Sequence, residues 1–238
     1  MRALKKCLLF LVISTLIIFI CLCFFQTKPV TTLDDKKVIR QLLTSYNIPP
    51  KKEQSFEAQI KQIMLVQKAV IDISGESYTT RKNHRAKGAA ELYKTKNGIC
   101  YDNSYVMEQI FKELGYEYRH VFWLFVPVDQ PYLMSFFSKT IRSHASVEVK
   151  TKKGWMHVES LTKYIGLDQE SNVFSASALN LPYWDADVTF PSVITPIYLN
   201  KRACIFYGLY SRNGKLFPPD IPVPDYNCGQ LLYNFTAE

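Results

Sequence analysis

The sequence predicts an α+β domain, and three observations carry that expectation. An amphipathic helical pattern runs from Glu53 to Ser74, with Phe56, Ile60, Ile63, Val66, Val70 and Ile71 spaced mostly by three and four. A second helical stripe, Val106, Ile110, Phe111 and Leu114, starts just after Cys100 and stops at Gly115. Tyr118–Val126 is then dense in aromatic and β-branched residues, and His144–Lys150 alternates. A turn over Lys152-Lys153-Gly154 leads into a return strand, Trp155–Glu159. Helices followed by an antiparallel sheet make the α+β arrangement.

The chain begins with a basic tail, Met1–Lys6, carrying Arg2, Lys5 and Lys6. Cys7–Phe25 follows, apolar except for Ser14 and Thr15. At about 1.5 Å per residue this run approaches the roughly 30 Å hydrocarbon thickness of a bilayer. A signal peptide has a shorter apolar core and ends in small residues; the flank Cys21-Leu22-Cys23-Phe24-Phe25-Gln26-Thr27 offers no such cleavage sequence. The expectation is an uncleaved signal anchor over 7–25, with residues 1–6 cytoplasmic and the rest outside the cytoplasm. Residues 26–52 read as a polar stalk with Pro29, Pro49, Pro50 and a lysine pair, holding a short helix over Val38–Leu43. The domain is expected over 53–238.

Within it, 75–97 is polar with a short helix over 88–94. The helix after Cys100 takes Asp102 in its first turn, where the dipole favours an acid. Between the first two strands, Pro127–Arg142 carries Tyr132, Leu133, Met134, Phe136 and Phe137. A lid, a membrane contact and plain core packing all fit this loop. Ile194–Leu199 and Cys204–Tyr210 read as further strands, and Phe217–Asp225, with its prolines, as an extended crossing.

With 238 residues, the chain behind the apolar segment suffices for one domain with a sizeable core. The net charge of +8 is dispersed in short runs, which fits a solvated face or an anionic surface. No nucleic-acid motif accompanies it. Cys7, Cys21 and Cys23 fall in the apolar segment, and Cys100, Cys204 and Cys228 beyond it. An odd number leaves one unpaired in an oxidising compartment. A Cys204–Cys228 disulfide and three reduced cysteines both remain open, the former leaving Cys100 as the free thiol.

The chemistry concentrates between residues 98 and 160. Cys100, His144 and Glu159 appear in the order nucleophile, base, acid. Cysteine catalysis needs a thiolate, an imidazole to take its proton and a group fixing the imidazole tautomer. A helix N-terminus favours a thiolate. A hairpin turning at Lys152-Lys153 brings positions 144 and 159 to the same end. Asp168 competes with Glu159 for the orienting role. Asp102 reads as a helix brace, and His157 as outer support or a surface residue. His84 and His120 have no partner legible in the sequence. The Cys100 amide would supply one oxyanion donor, and Tyr93, Lys94 or Asn97 the second. No His/Cys spacing suggests zinc, and no cofactor is expected.

These segments resemble the transglutaminase-like superfamily, a branch of the papain-like cysteine enzymes. Its pattern reads roughly Gly-x-Cys-x-Asp before a helix, then His-Ala-Trp-x-Glu-Val, then Trp-x-x-Val-Asp. Gly98, Cys100 and Asp102 match the first part, His144, Ala145, Glu148 and Val149 the second, and Trp155 and Val158 the third. Two positions depart: Ser146 stands where the family usually has Trp, and Glu159 where it usually has Asp. The resemblance implies a papain-like core with a Cys100–His144–Glu159 triad. It implies acyl transfer to water or an amine through a thioester. A bacterial, membrane-anchored member would act on a cell-envelope peptide or amine-bearing glycan. The rival expectation is an inactive binding or scaffold domain accessory to envelope-polysaccharide assembly.

Overall fold

The computed structural model describes residues 2–24, 31–75, 87–127, 131, 142–177, 201–210 and 225–226. Five helices come first: α1 (Arg2–Phe24), α2 (Leu33–Ser45), α3 (Phe56–Ser74), α4 (Ala89–Thr95) and α5 (Cys100–Leu114). The strands are β1 (Tyr118–Pro127), β2 (Arg142–Thr151), β3 (Gly154–Val158), β4 (Lys201–Tyr207), β5 (Leu209–Tyr210) and β6 (Asp225–Tyr226). The first four form one sheet in the order β3-β2-β1-β4, and β5 pairs with β6. Every pairing is antiparallel. The α+β expectation therefore holds.

Helix starts follow local chemistry. Thr32 caps α2 by accepting from Asp35 N at 3.1 Å, while Asp35 Oδ2 accepts from Thr32 N at 2.9 Å. This reciprocal box satisfies backbone donors that a helix start otherwise leaves unpaired. The buried Asp35 carboxylate also accepts from Ala90 N (2.9 Å) and Gln109 Nε2 (3.3 Å), tying α2 to α4 and α5. Ser55 caps α3 by accepting from Ala58 N at 3.1 Å.

Ile39, Leu42 and Ile48 join the buried core with the apolar faces of α3 and α5. Residues 33–48, read as part of a stalk, thus belong to the domain. Pro49, Pro50 and the lysines gave a linker composition to a segment whose short apolar stripe is covered by its neighbours. The helix expected over 53–74 begins at Phe56, and that expected over 88–94 runs from Ala89 to Thr95.

On α1 the described side chains cover residues 5–17, about 20 Å of helix. Among the described residues no helix is long and apolar enough to cross a membrane. The loop 127–142 lies almost wholly outside the described residues, as do His84, Cys228, Ile194–Leu199 and most of 217–225.

One side of the sheet faces the helices: Val147, Val149, Met156 and Val158 join the helical core. By strand alternation His144, Ser146 and Glu148 face the other way. That second side is not open. His157 N donates to Phe174 O (2.9 Å), and Gly166 N to His157 O (2.8 Å), so the 164–177 segment lies along β3. A Cβ on Gly166 would come within 2.2 Å of Phe174 O, which explains the glycine there.

Candidate active site

Cys100 is the first residue of α5 and partly exposed. The turn before it is tightly built. Gly98 N donates to Ser74 O at 3.0 Å. A Cβ on Gly98 would meet Asn103 Oδ1 at 2.5 Å and Leu92 Cδ1 at 2.7 Å, so only glycine lets the chain pass. Asp102 braces the helix start as expected: its carboxylate accepts from Ile99 N (3.1 Å) and Lys87 N (2.9 Å). These contacts fix the start of α5, where the helix dipole puts partial positive charge beside the thiol.

The hairpin places His144 and Glu159 together. Thr151 pairs with Gly154, and Val147 with Val158, so the ladder carries position 144 toward the residues just past β3. His144 Nε2 donates to Glu159 Oε1 at 2.7 Å, with both side chains nearly buried. His144 also hydrogen-bonds the Cys100 side chain. With Nε2 engaged by Glu159, Nδ1 is the nitrogen for the thiol.

Burial alone would lower the His144 pKa. The Glu159 charge outweighs it, joined by hydrogen bonds to Cys100 and Glu159, and raises it to about 10. Burial would conversely raise Glu159. The imidazole of His144, and after it His157, hold the carboxylate below its ordinary range. The site thus favours an imidazolium against a carboxylate at neutral pH.

The extra methylene of Glu159, relative to the usual Asp, is absorbed by curling the carboxylate back over its own chain. Oε1 accepts from Ser160 N (2.9 Å) and Leu161 N (3.2 Å) as well as from His144. Two further residues anchor this loop to the helices. Gln67 of α3 directs its amide at Glu159 O (2.8 Å), Thr162 O (2.9 Å) and Tyr164 O (2.6 Å). Asn103, one turn into the Cys100 helix, donates to Ser160 O at 2.8 Å. The sequence offered one signal for Gln67: a polar residue among the apolar positions of α3.

His157 is neither at the surface nor remote. It is fully buried, its ring set edge-on to Trp123 (centroids 5.6 Å), with Nε2 3.5 Å from Glu159 Oε2. Asp168 does not compete for the imidazole, since it accepts from Asn172 N (2.7 Å) and Nδ2 (2.8 Å) in its own turn. His120, which had no legible partner, meets Glu108 of α5 through Nδ1 at 2.6 Å, both buried. Of the expected oxyanion donors, Tyr93 accepts from Gln41 (2.9 Å) and lies under the Lys96 ammonium.

Residues 47–160 match the sequence model of the transglutaminase-like superfamily. The chain carries a transglutaminase-like domain. The matched segment contains α3, α4, α5 and the β1–β2–β3 sheet, and it closes one residue beyond Glu159. No curated protein matches the chain. Against the transglutaminase-like pattern, Ser146 Oγ accepts from Trp123 Nε1 at 2.7 Å. An indole from β1 thus packs beside the position where the family usually carries one on β2.

Proposed function

We propose that this transglutaminase-like domain is a cysteine acyl-transfer enzyme with Cys100 as nucleophile, His144 as base and acid, and Glu159 as orienter. One observation carries the reading. A single imidazole hydrogen-bonds a buried carboxylate on one side and a helix-terminal thiol on the other. In the reaction the Cys100 sulfur attacks the carbonyl carbon of an amide, and the thiol proton resides on His144. The oxyanion takes the Cys100 backbone N–H. Collapse breaks the C–N bond, and His144 delivers its proton to the leaving amine, giving a thioester. Water or a second amine then attacks the thioester, losing its proton to His144, and the thiol is restored. Glu159 holds the ring in register and stabilises its charged form throughout.

The substrate we propose is a cell-envelope peptide or an amine-bearing glycan, reached by a domain tethered outside the cytoplasm. Support for the tether comes from the basic tail and apolar run of the sequence. On α1, Leu8–Ile13, Leu16 and Ile17 stand 45–73% exposed, an apolar surface that the domain does not cover.

Iodoacetamide alkylation of the full-length chain tests the reading, with Cys100 labelling read by peptide mass spectrometry from pH 4 to 9. An ordinary thiol of pKa about 8.5 is only about 1% ionised at pH 6.5. Fast labelling of Cys100 near pH 6, slowed about tenfold or more by His144→Ala, is expected of a thiolate–imidazolium pair. Labelling that follows the ordinary thiol curve and ignores His144 would instead mark a non-catalytic binding domain.

A further inference from the structure

Resting on the reading that Glu159 orients His144, we propose that His157 is a positioning residue for Glu159. Ser146 and Trp123 hold it in one tautomer, so that the carboxylate is gripped between two imidazoles. The direction of the hydrogen bonds carries this. An indole N–H can only donate, and that of Trp123 donates to Ser146 Oγ at 2.7 Å. The Ser146 proton must therefore point elsewhere, and His157 Nδ1 lies 3.5 Å away. With Nδ1 accepting, the ring proton of His157 sits on Nε2, which faces Glu159 Oε2 at 3.5 Å.

The two carboxylate oxygens then have separate surroundings. Oε1 takes His144 and two backbone amides, while Oε2 lies 3.5 Å from His157 Nε2, a buried nitrogen that makes no hydrogen bond among the described residues and whose proton faces the carboxylate as an electrostatic contact. Rotation of the carboxylate about its last bond would swing Oε1 off His144, and the contact at Oε2 resists that rotation. At 3.5 Å both contacts of His157 are long, so they orient rather than hold. The ring itself has little freedom: Trp123 meets it edge-on, Tyr164 lies tilted at 6.4 Å, and 164–177 hydrogen-bonds its backbone on the remaining side. The other carboxylate beside it, Glu148, is already engaged by Arg119, Ala176 N and the Tyr207 hydroxyl. Serine at 146 thus belongs to one unit with Trp123 and His157, since a bulky indole at 146 would leave no hydroxyl to set the tautomer.

The full-length chain with nitrogen-labelled histidine tests this by two readouts, ring-nitrogen NMR and the pH profile of Cys100 alkylation. The expected wild-type spectrum places the His157 proton on Nε2, and Ser146→Ala mixes the two tautomers. His157→Leu slows alkylation at pH 6 about threefold, less than the loss of one ordinary hydrogen bond would give. His157→Gln recovers most of the rate, because its amide N–H reaches the place of Nε2. A purely structural role predicts equal rates for Leu and Gln in the folded fraction. If the Leu variant fails to fold, Ser146→Ala, a loss of one oxygen, gives the same comparison. A His157 proton on Nδ1 in the wild type, or wild-type alkylation in both Ser146→Ala and His157→Leu, overturns the proposal. Indifference to His144→Ala overturns the acyl-transfer reading beneath it, and is distinguishable because the spectrum reads the tautomer without any reaction.

Discussion

His144 and His120 sit on neighbouring strands, and each holds a buried glutamate at hydrogen-bond distance, 2.7 Å to Glu159 and 2.6 Å to Glu108. Chemically the pairs are alike, but their addresses differ. His120 lies mid-sheet against the flank of α5, two turns beyond Cys100, and both members are at most 1% exposed. His144 lies near the start of β2, where α5 begins with a partly exposed thiol. An imidazole–carboxylate pair in the packed interior braces helix against sheet. The same pair at a helix start meets a partly exposed thiol. On the acyl-transfer reading proposed above, position and not the pair itself separates a reactive site from a brace.

The comparison breaks first at His120. Replacing it with Ala removes a hydrogen-bond partner from the buried Glu108, and stability should fall by about 2 kcal/mol in urea unfolding. Cys100 alkylation in the folded fraction should not change. If it slows as in His144→Ala, the two pairs are coupled and the contrast is wrong. A smaller effect is expected from Glu159→Asp, which restores the residue usual in the family. The side chain shortens by about 1.5 Å, one C–C bond, in a loop whose path is fitted to glutamate by Gln67 and Asn103. Alkylation should slow about tenfold, measured at pH 6. Equal rates would mean that the loop follows the shorter chain.

The comparison is sharpened further by the pH dependence of stability, read as the difference in urea midpoint between wild type and Glu159→Gln. The folded pKa of His144 is raised, so its contribution is complete below about 6.5, declines above that, and is lost as pH passes about 10. The folded pKa of Glu159 is lowered, so its contribution is present above about 4.5 and lost as the pH falls below its ordinary range. The difference should therefore be widest between about pH 4.5 and 6.5 and shrink on both sides. A flat difference would show that the pair carries no net charge interaction in the fold.

Most of the site's local geometry was legible because it is set within one hairpin. A two-residue turn at Lys152-Lys153 fixes the ladder, and the ladder fixes which end His144 and Glu159 share. Cys100 was legible because glycine, cysteine and aspartate each answer a local demand of the turn. What escaped depends on contacts between distant segments. Gln67 lies 92 residues from Glu159, and nothing near it in sequence distinguishes it from Gln59 or Gln62, which brace other loops. The His120–Glu108 pair forms only when β1 lies on α5. The whole of α2 was read as stalk because its short stripe is apolar to a purpose only once its neighbours cover it. For His157 the sequence left outer support and a surface residue both open, because strand alternation cannot show that 164–177 packs beside it.

The grip of Gln67 on three carbonyls has a consequence for assembly. The thiol is carried by α5, the imidazole by β2, and the loop bearing the carboxylate is fastened to α3 and, through Asn103, to α5. No single piece of the chain holds a working set. A chain of helices alone carries Cys100 without His144, and a sheet undocked from α3 carries His144 with the Glu159 loop unmoored. The Cys100–His144–Glu159 arrangement therefore exists only in the completed fold, and part of what fastens it is the uncharged amide of Gln67.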